Sequence, residues 1–173
     1  MRNSLRFVAV GAALAAASFA TSASAAASAT ATATAEILQS LTLTADSALD
    51  FGQIAANTGG TVKVNADSTV AQTGSVVWTG TRAPAGFTVT GSKGASVVVT
   101  LPSSASTLYL GGNSASPDTM TLDQFNANPV GGVTQLDATT GTATFAVGGR
   151  LSVASAQTAG TYSGTFAVSV EYQ

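Results

Sequence analysis

Gly160-Thr161-Tyr162-Ser163-Gly164-Thr165-Phe166-Ala167-Val168-Ser169-Val170-Glu171-Tyr172-Gln173 closes the chain, and its alternation decides the reading of the fold. Tyr162, Phe166, Val168, Val170 and Tyr172 fall on one face of an extended chain. Thr161, Ser163, Thr165, Ser169 and Glu171 fall on the other, with Ala167 among them. A period of two is what a strand with one buried face requires. Thr161 to Tyr172 is therefore predicted as the closing strand of an antiparallel sheet.

The same period recurs upstream, in short runs separated by turn residues. Leu41-Thr42-Leu43-Thr44 alternates, and so does Leu49-Asp50-Phe51, followed by Gly52-Gln53-Ile54. Thr61 to Asn65, Ser75 to Thr79, Gly86 to Thr90, Ser96 to Leu101, Thr107 to Leu110 and Met120 to Phe125 follow. Thr142 to Val147 and Leu151 to Val153 come last before the closing run. Gly59-Gly60, Gly111-Gly112, Gly131-Gly132 and Gly148-Gly149 lie between apolar runs and read as turns. No window beyond the N-terminus has the 3.6 period of an amphipathic helix. Many short strands with frequent turns predict an all-β sandwich or barrel.

The N-terminus has a different character. Arg2 and Arg6 precede an apolar run, Phe7 to Ala17, of 11 residues. That is too short to span a bilayer as a helix, and small residues follow it. Residues 1–25 read as a cleavable secretory signal peptide, with Ala23-Ser24-Ala25 as the cleavage site. Ser18-Phe19-Ala20 and Ala25-Ala26-Ala27 also satisfy the small-residue rule. Residues 26–36 form a low-complexity Ala/Thr lead, in which β-favouring threonine at alternate places opposes helix. If extended, the lead carries Ala29, Ala31, Ala33, Ala35 and Ile37 on one face, continuing through Gln39, the single polar break, to Leu41 and Leu43. Residues 37–173 are predicted as one domain.

Composition narrows the chemistry. Charged residues are 8% of the chain, against roughly 25% in an ordinary globular domain. Beyond residue 25, four basic residues face eight acidic ones, a net charge of −4, which offers no basic patch for nucleic acid or an anionic membrane. Histidine and cysteine are absent, which removes the commonest general base, thiol nucleophiles and zinc-thiolate sites. An exported chain without cysteine relies on its core and its strand pairing. No G-x-S-x-G elbow and no phosphate-binding glycine loop occurs. Asp118 with Asp123 is a nearby carboxylate pair of the kind glycoside hydrolysis uses, though both read as strand-end aspartates. Asp46 and Asp50, with Asn57, offer oxygen ligands to calcium, but their spacing matches no known calcium loop. The expectation is a chain that is not an enzyme and carries no cofactor and no resident metal.

The closing run carries a resemblance. Its alternation, the penultimate Tyr172 and Gly160, fourteenth from the end, resemble the C-terminal strand of bacterial chaperone-usher fimbrial subunits. Leu49-Asp50-Phe51-Gly52-Gln53-Ile54 and Gly160-Thr161-Tyr162-Ser163-Gly164-Thr165-Phe166 also look like a family of small exported bacterial proteins, known chiefly as a domain of unknown function and similar to spore coat protein U-like pilins. The likeness covers about residues 37 to 173. It implies an immunoglobulin-like, pilin-like β-sandwich with an extended N-terminal lead. It also implies a pairing strand, Gly160, Tyr162, Phe166, Val168, Val170 and Tyr172, for a periplasmic chaperone or a neighbouring subunit. Ala29, Ala31, Ala33, Ala35 and Ile37 would be the donor strand, and copies of the chain, a chaperone and an outer-membrane usher the partners. Two features depart from the family. The disulfide of many such subunits cannot form, and alanines stand where a donor strand presents bulky side chains.

The resulting expectation is a structural subunit of a surface fibre or coat, exported through the periplasm to the cell surface, with no membrane span after cleavage. The rival is a self-complete secreted sandwich that binds a glycan or surface partner through Trp78 and Tyr109. An outer-membrane barrel fits less well, because the outward faces are rich in Thr and Ser. N-terminal sequencing of the exported protein is expected to read from Ala26, within about two residues; a start at Met1 or beyond Glu36 would refute the assignment.

Overall fold

In the computed structural model, residues 26–129 and 132–173 are described. The expected signal peptide lies outside them. The chain divides into two units, Met1–Ala35 and Glu36–Gln173. Residues 26–35 are exposed and carry no strand.

Residues 36–173 contain eleven strands and no helix among the described residues. They are β1 (Thr42–Ser47), β2 (Gln53–Val64), β3 (Val70–Thr79), β4 (Ala85–Thr90), β5 (Ser96–Thr100), β6 (Ser106–Leu110), β7 (Thr119–Asn128), β8 (Val133–Gln135), β9 (Thr142–Val153), β10 (Tyr162–Ser163) and β11 (Ser169–Tyr172). All pairings are antiparallel. One sheet runs β1-β4-β9-β7-β6-β10, with β2 also paired to β9 and β3 to β2, and a second runs β11-β5-β8. The sheets curl and pack on one another as a β-sandwich, the all-β class that the alternation predicts.

Strand β9 is the spine. Its first half pairs with β4 (Ala85↔Val147 to Thr90↔Thr142) and its second half, on the same edge, with β2 (Gly60↔Val153 to Val64↔Gly149). Strand β7 follows the other edge, with a bulge between Asp123 and Asn126 in which Gln124 has φ 48°. A bulge bends and twists a sheet locally. It lies opposite Gly148-Gly149, where β9 passes from pairing with β4 to pairing with β2. Two apolar clusters follow from that bend. Val62, Val64, Val76, Met120, Leu122, Leu151 and Val153 build one with Phe51, while Phe87, Val89, Val97, Val99, Leu136, Phe145 and Val147 build the other with Ala85.

The glycine pairs correct the sequence reading. Gly148 and Gly149 are not a turn; they lie inside β9. A Cβ on Gly148 would meet the carbonyl oxygen of Val64 and lie 2.6 Å from Ala66 N, where the end of β2 passes over it. A Cβ on Gly149 would lie 2.9 Å from Leu122 Cδ1. Gly59 and Gly60 lie inside β2, at an irregularity between Ala56 and Gly60, not at its start. Gly111-Gly112 does form a turn, and Gly132 stands at a bend before β8, a strand that no alternating run foretold. Strand β2 consequently runs without interruption from Gln53, and β3 begins at Val70, five residues earlier than the alternation shows.

Replacing Gly148 by alanine sets a methyl group against backbone that has no alternative path. The urea midpoint of Gly148→Ala should fall by the equivalent of about 2–3 kcal/mol. Gly94→Ala, where a Cβ meets nothing within 4 Å, should lose only about 1 kcal/mol for its left-handed backbone.

Candidate functional site: the C-terminal edge

The C-terminal run is predicted as one strand, and the structure divides it. Tyr162 and Ser163 pair with Leu110 and Tyr109 of β6, in the first sheet. Ser169 to Tyr172 pair with Thr100 to Val97 of β5, in the second. Residues 164–168 cross between the sheets without a ladder. The crossing needs Gly164, whose Cβ would meet Thr107 O and lie 3.1 Å from Leu108 Cα. Gly160 stands before β10, where a Cβ would strike Leu110 Cδ1.

The alternation survives the crossing. Tyr162, Phe166, Val168, Val170 and Tyr172 are half-buried, and the residues between them are exposed. Tyr162 packs on the first apolar cluster and Val168, Val170 and Tyr172 on the second, while Phe166 packs on both. Its ring lies 5.1 Å from that of Phe125 and 6.4 Å from that of Phe87, edge-on to the latter. None of these five side chains is fully buried. The reason is positional: β10 and β11 each end their sheet.

Strand β1 ends the first sheet at its opposite edge, with Leu41 and Leu43 half-buried on the same cluster as β11. The two edges meet at Gly91, where a Cβ would lie 2.7 Å from Leu41 Cδ2 and 2.5 Å from Tyr172 Oη. The penultimate tyrosine ties them together. Its hydroxyl donates to Gln39 O at 2.6 Å and accepts from Ser92 N at 2.7 Å. Gln39 N donates to Ser92 Oγ at 2.6 Å. Gln39, the polar break in the lead's apolar face, is thus held through its backbone. Nothing local in the sequence points to Ser92, 53 residues from Gln39 and 80 from Tyr172.

Of the possible donor residues, Ile37 lies in this unit and is 94% exposed. Ala29, Ala31, Ala33 and Ala35 belong to the other unit and are exposed without strand structure.

The other candidate residues are dispersed. Trp78 in β3 and Tyr109 in β6 are separated by β2, β9 and β7. The Trp78 ring packs on the first cluster, its Nε1–H donates to Phe51 O, and Arg82 lies over its face at 4.7 Å. Each candidate carboxylate is engaged locally. Asp46 accepts from Thr88 Oγ1, Asp50 from Gly52 N, and Asp118 from Thr158 Oγ1. Asp123 takes both arms of Arg150 across the β7–β9 ladder, at 2.8 and 2.7 Å. The hydrogen bonds from Arg150 hold the Asp123 carboxyl below its usual pKa, and the same contact raises Arg150. Among the described residues, no three acidic side chains gather as a metal site, and no helix is long and apolar enough to cross a membrane. A cleft of about 850 Å³ lies elsewhere, lined by Lys63, Asn65, Asp67, Leu101 and Asn126 among others.

The chain belongs to the family described as "Domain of unknown function (DUF4402)", whose model matches residues 41–172 and so takes in every strand from β1 to β11. No curated protein and no solved structure matches it.

The Tyr172 latch is open to a conservative test. Tyr172→Phe keeps the ring and removes two hydrogen bonds, worth about 1 kcal/mol each. The urea midpoint should fall by the equivalent of about 1–2 kcal/mol, and limited proteolysis near Gln39 should accelerate.

Proposed function

We propose that this member of the family is a structural subunit of a bacterial surface fibre, fimbria or coat, exported through the periplasm and assembled there by β-strand addition with a chaperone and usher. The supporting observation is the row Tyr162, Phe166, Val168, Val170 and Tyr172. It continues both apolar clusters to the ends of their sheets and stops half-buried there. An added strand along that flank would gain hydrogen bonds from the free edge and cover the row, with alternate side chains setting its register. The donor would be a chaperone strand in transit and a neighbouring subunit's extension in the fibre. Alanines in residues 26–36 bury little area per side chain, so Ile37 and Leu38, 94% and 43% exposed, are the bulky residues such an extension offers.

Two substitutions separate the faces of the run. Val168→Asp places a carboxylate among half-buried apolar groups and should cost about 2–3 kcal/mol, a large share of a stability of about 5–15 kcal/mol. Glu171→Lys, on the exposed face, should leave folding unchanged. Exported alone, the wild-type chain should aggregate or be degraded, because a free edge invites uncontrolled pairing, and its own chaperone should rescue it. A wild-type chain that stays monomeric, soluble and protease-resistant without a partner would overturn the reading in favour of a self-complete secreted sandwich.

A further inference from the structure

Five strands end a sheet or branch in this fold: β1, β3, β8, β10 and β11. Strands β8 and β10 have three and two residues. Strands β1 and β11 form the flank described above. Strand β3 is different. It is ten residues long and pairs on one side with β2. Its sequence, Val-Ala-Gln-Thr-Gly-Ser-Val-Val-Trp-Thr, contains no charge and no proline, two of the usual devices that keep an edge from pairing; its one irregularity is at Gly74, φ 78°, opposite the break in the β2 register.

The edge is also unfinished on both faces. Val70, opposite the fully buried Val64, is 46% exposed, and Val77, on the outer face, is 53% exposed. Charges of opposite sign flank the strand. Asp67 is exposed in the turn before it, and Arg82 is half-buried after it. Among the described residues, the one ion pair is Arg150 with Asp123, so neither flanking charge is in an ion pair there; Asp67 accepts from Thr69 and Arg82 lies over Trp78.

We infer that β3 is a homotypic pairing edge, which joins antiparallel to the β3 of a second copy of this chain about a two-fold axis. The strand is self-complementary in that arrangement. Centred on Gly74, it sets Val70 beside the partner's Trp78, Gln72 beside the partner's Val76, and Val77 beside the partner's Ala71. Each of these pairs shares a face, as a two-fold axis normal to the sheet requires. The apolar face of one copy then continues into the other. Asp67 comes beside the partner's Arg82 at both ends, one residue out of direct register. The contact uses neither the C-terminal run nor β1, so it stands or falls separately from strand addition there.

The test is a charge exchange. Asp67→Arg and Arg82→Asp, each alone, set like charges together at both ends of the contact, but a mixture of the two restores opposite charges at both. With the purified mature chain at tens of micromolar, held in complex with its chaperone where the free chain aggregates, sedimentation and native mass spectrometry should show dimers for the wild type. Each single variant should lose at least tenfold in dimer affinity, and the mixture should recover dimers that contain one copy of each. Circular dichroism of each variant checks its fold. Because the chain has no cysteine, Ala71→Cys and Val77→Cys copies supply a second measurement: a short thiol cross-linker should join them efficiently only when they are mixed. A mixture no more dimeric than the single variants, or cross-linking no better in the mixture than in either variant alone, would overturn the inference.

Discussion

The absence of a side chain at residue 148 is the constraint on which the rest of this structure depends. Strand β4 and strand β2 share one edge of β9 in succession, and the handover takes place at Gly148. There the backbone from Val64 to Ala66 passes closer than any Cβ would permit. The bulge at Gln124 in β7 bends the opposite edge at the same place. Gly149 leaves room for Leu122 and Leu49 beneath the bend. A bulge and two small residues at one point turn a sheet through a corner without breaking its ladder.

That corner creates two apolar clusters, and Phe166 couples them. It lies in the short stretch of the C-terminal run that makes no ladder, where the chain leaves β6 and joins β5. Its ring meets Phe125, in the bulge of β7 itself, and Phe87, of β4. The last residues of the chain therefore hold both layers together. Because they occupy sheet ends, the same residues remain partly exposed, so this segment ties the sandwich together and still has an edge to offer.

Polar groups in this protein serve the backbone. Asp67 and Asp137 accept hydrogen bonds from the N–H and hydroxyl groups of the turns that follow them, which holds both carboxyls below the usual carboxylate range. Asp123 pairs with Arg150 across a ladder. Side chains engaged in this way shape turns and register. The proposed activity, joining chains through strand edges, accordingly draws on backbone groups and apolar rows.

By itself, the sequence determined the fold class and the faces of the strands. Alternation is a local property set by the pleat, so Tyr162, Phe166, Val168, Val170 and Tyr172 face inward whether the run is one strand or two. Only the tertiary structure decided what the glycines do. A Gly-Gly pair supplies freedom for a turn or space for a passing backbone, and its neighbours in sequence do not distinguish the two. Gly111-Gly112 turns because β6 ends there, whereas Gly148-Gly149 continues because Ala66 and Leu122, from the turn after β2 and from β7, need the space. The latch of Tyr172 on Gln39 and Ser92, the division of the C-terminal run and the open edge of β3 are likewise relations between segments far apart in the chain. Such relations exist only once the sheets have curled and packed.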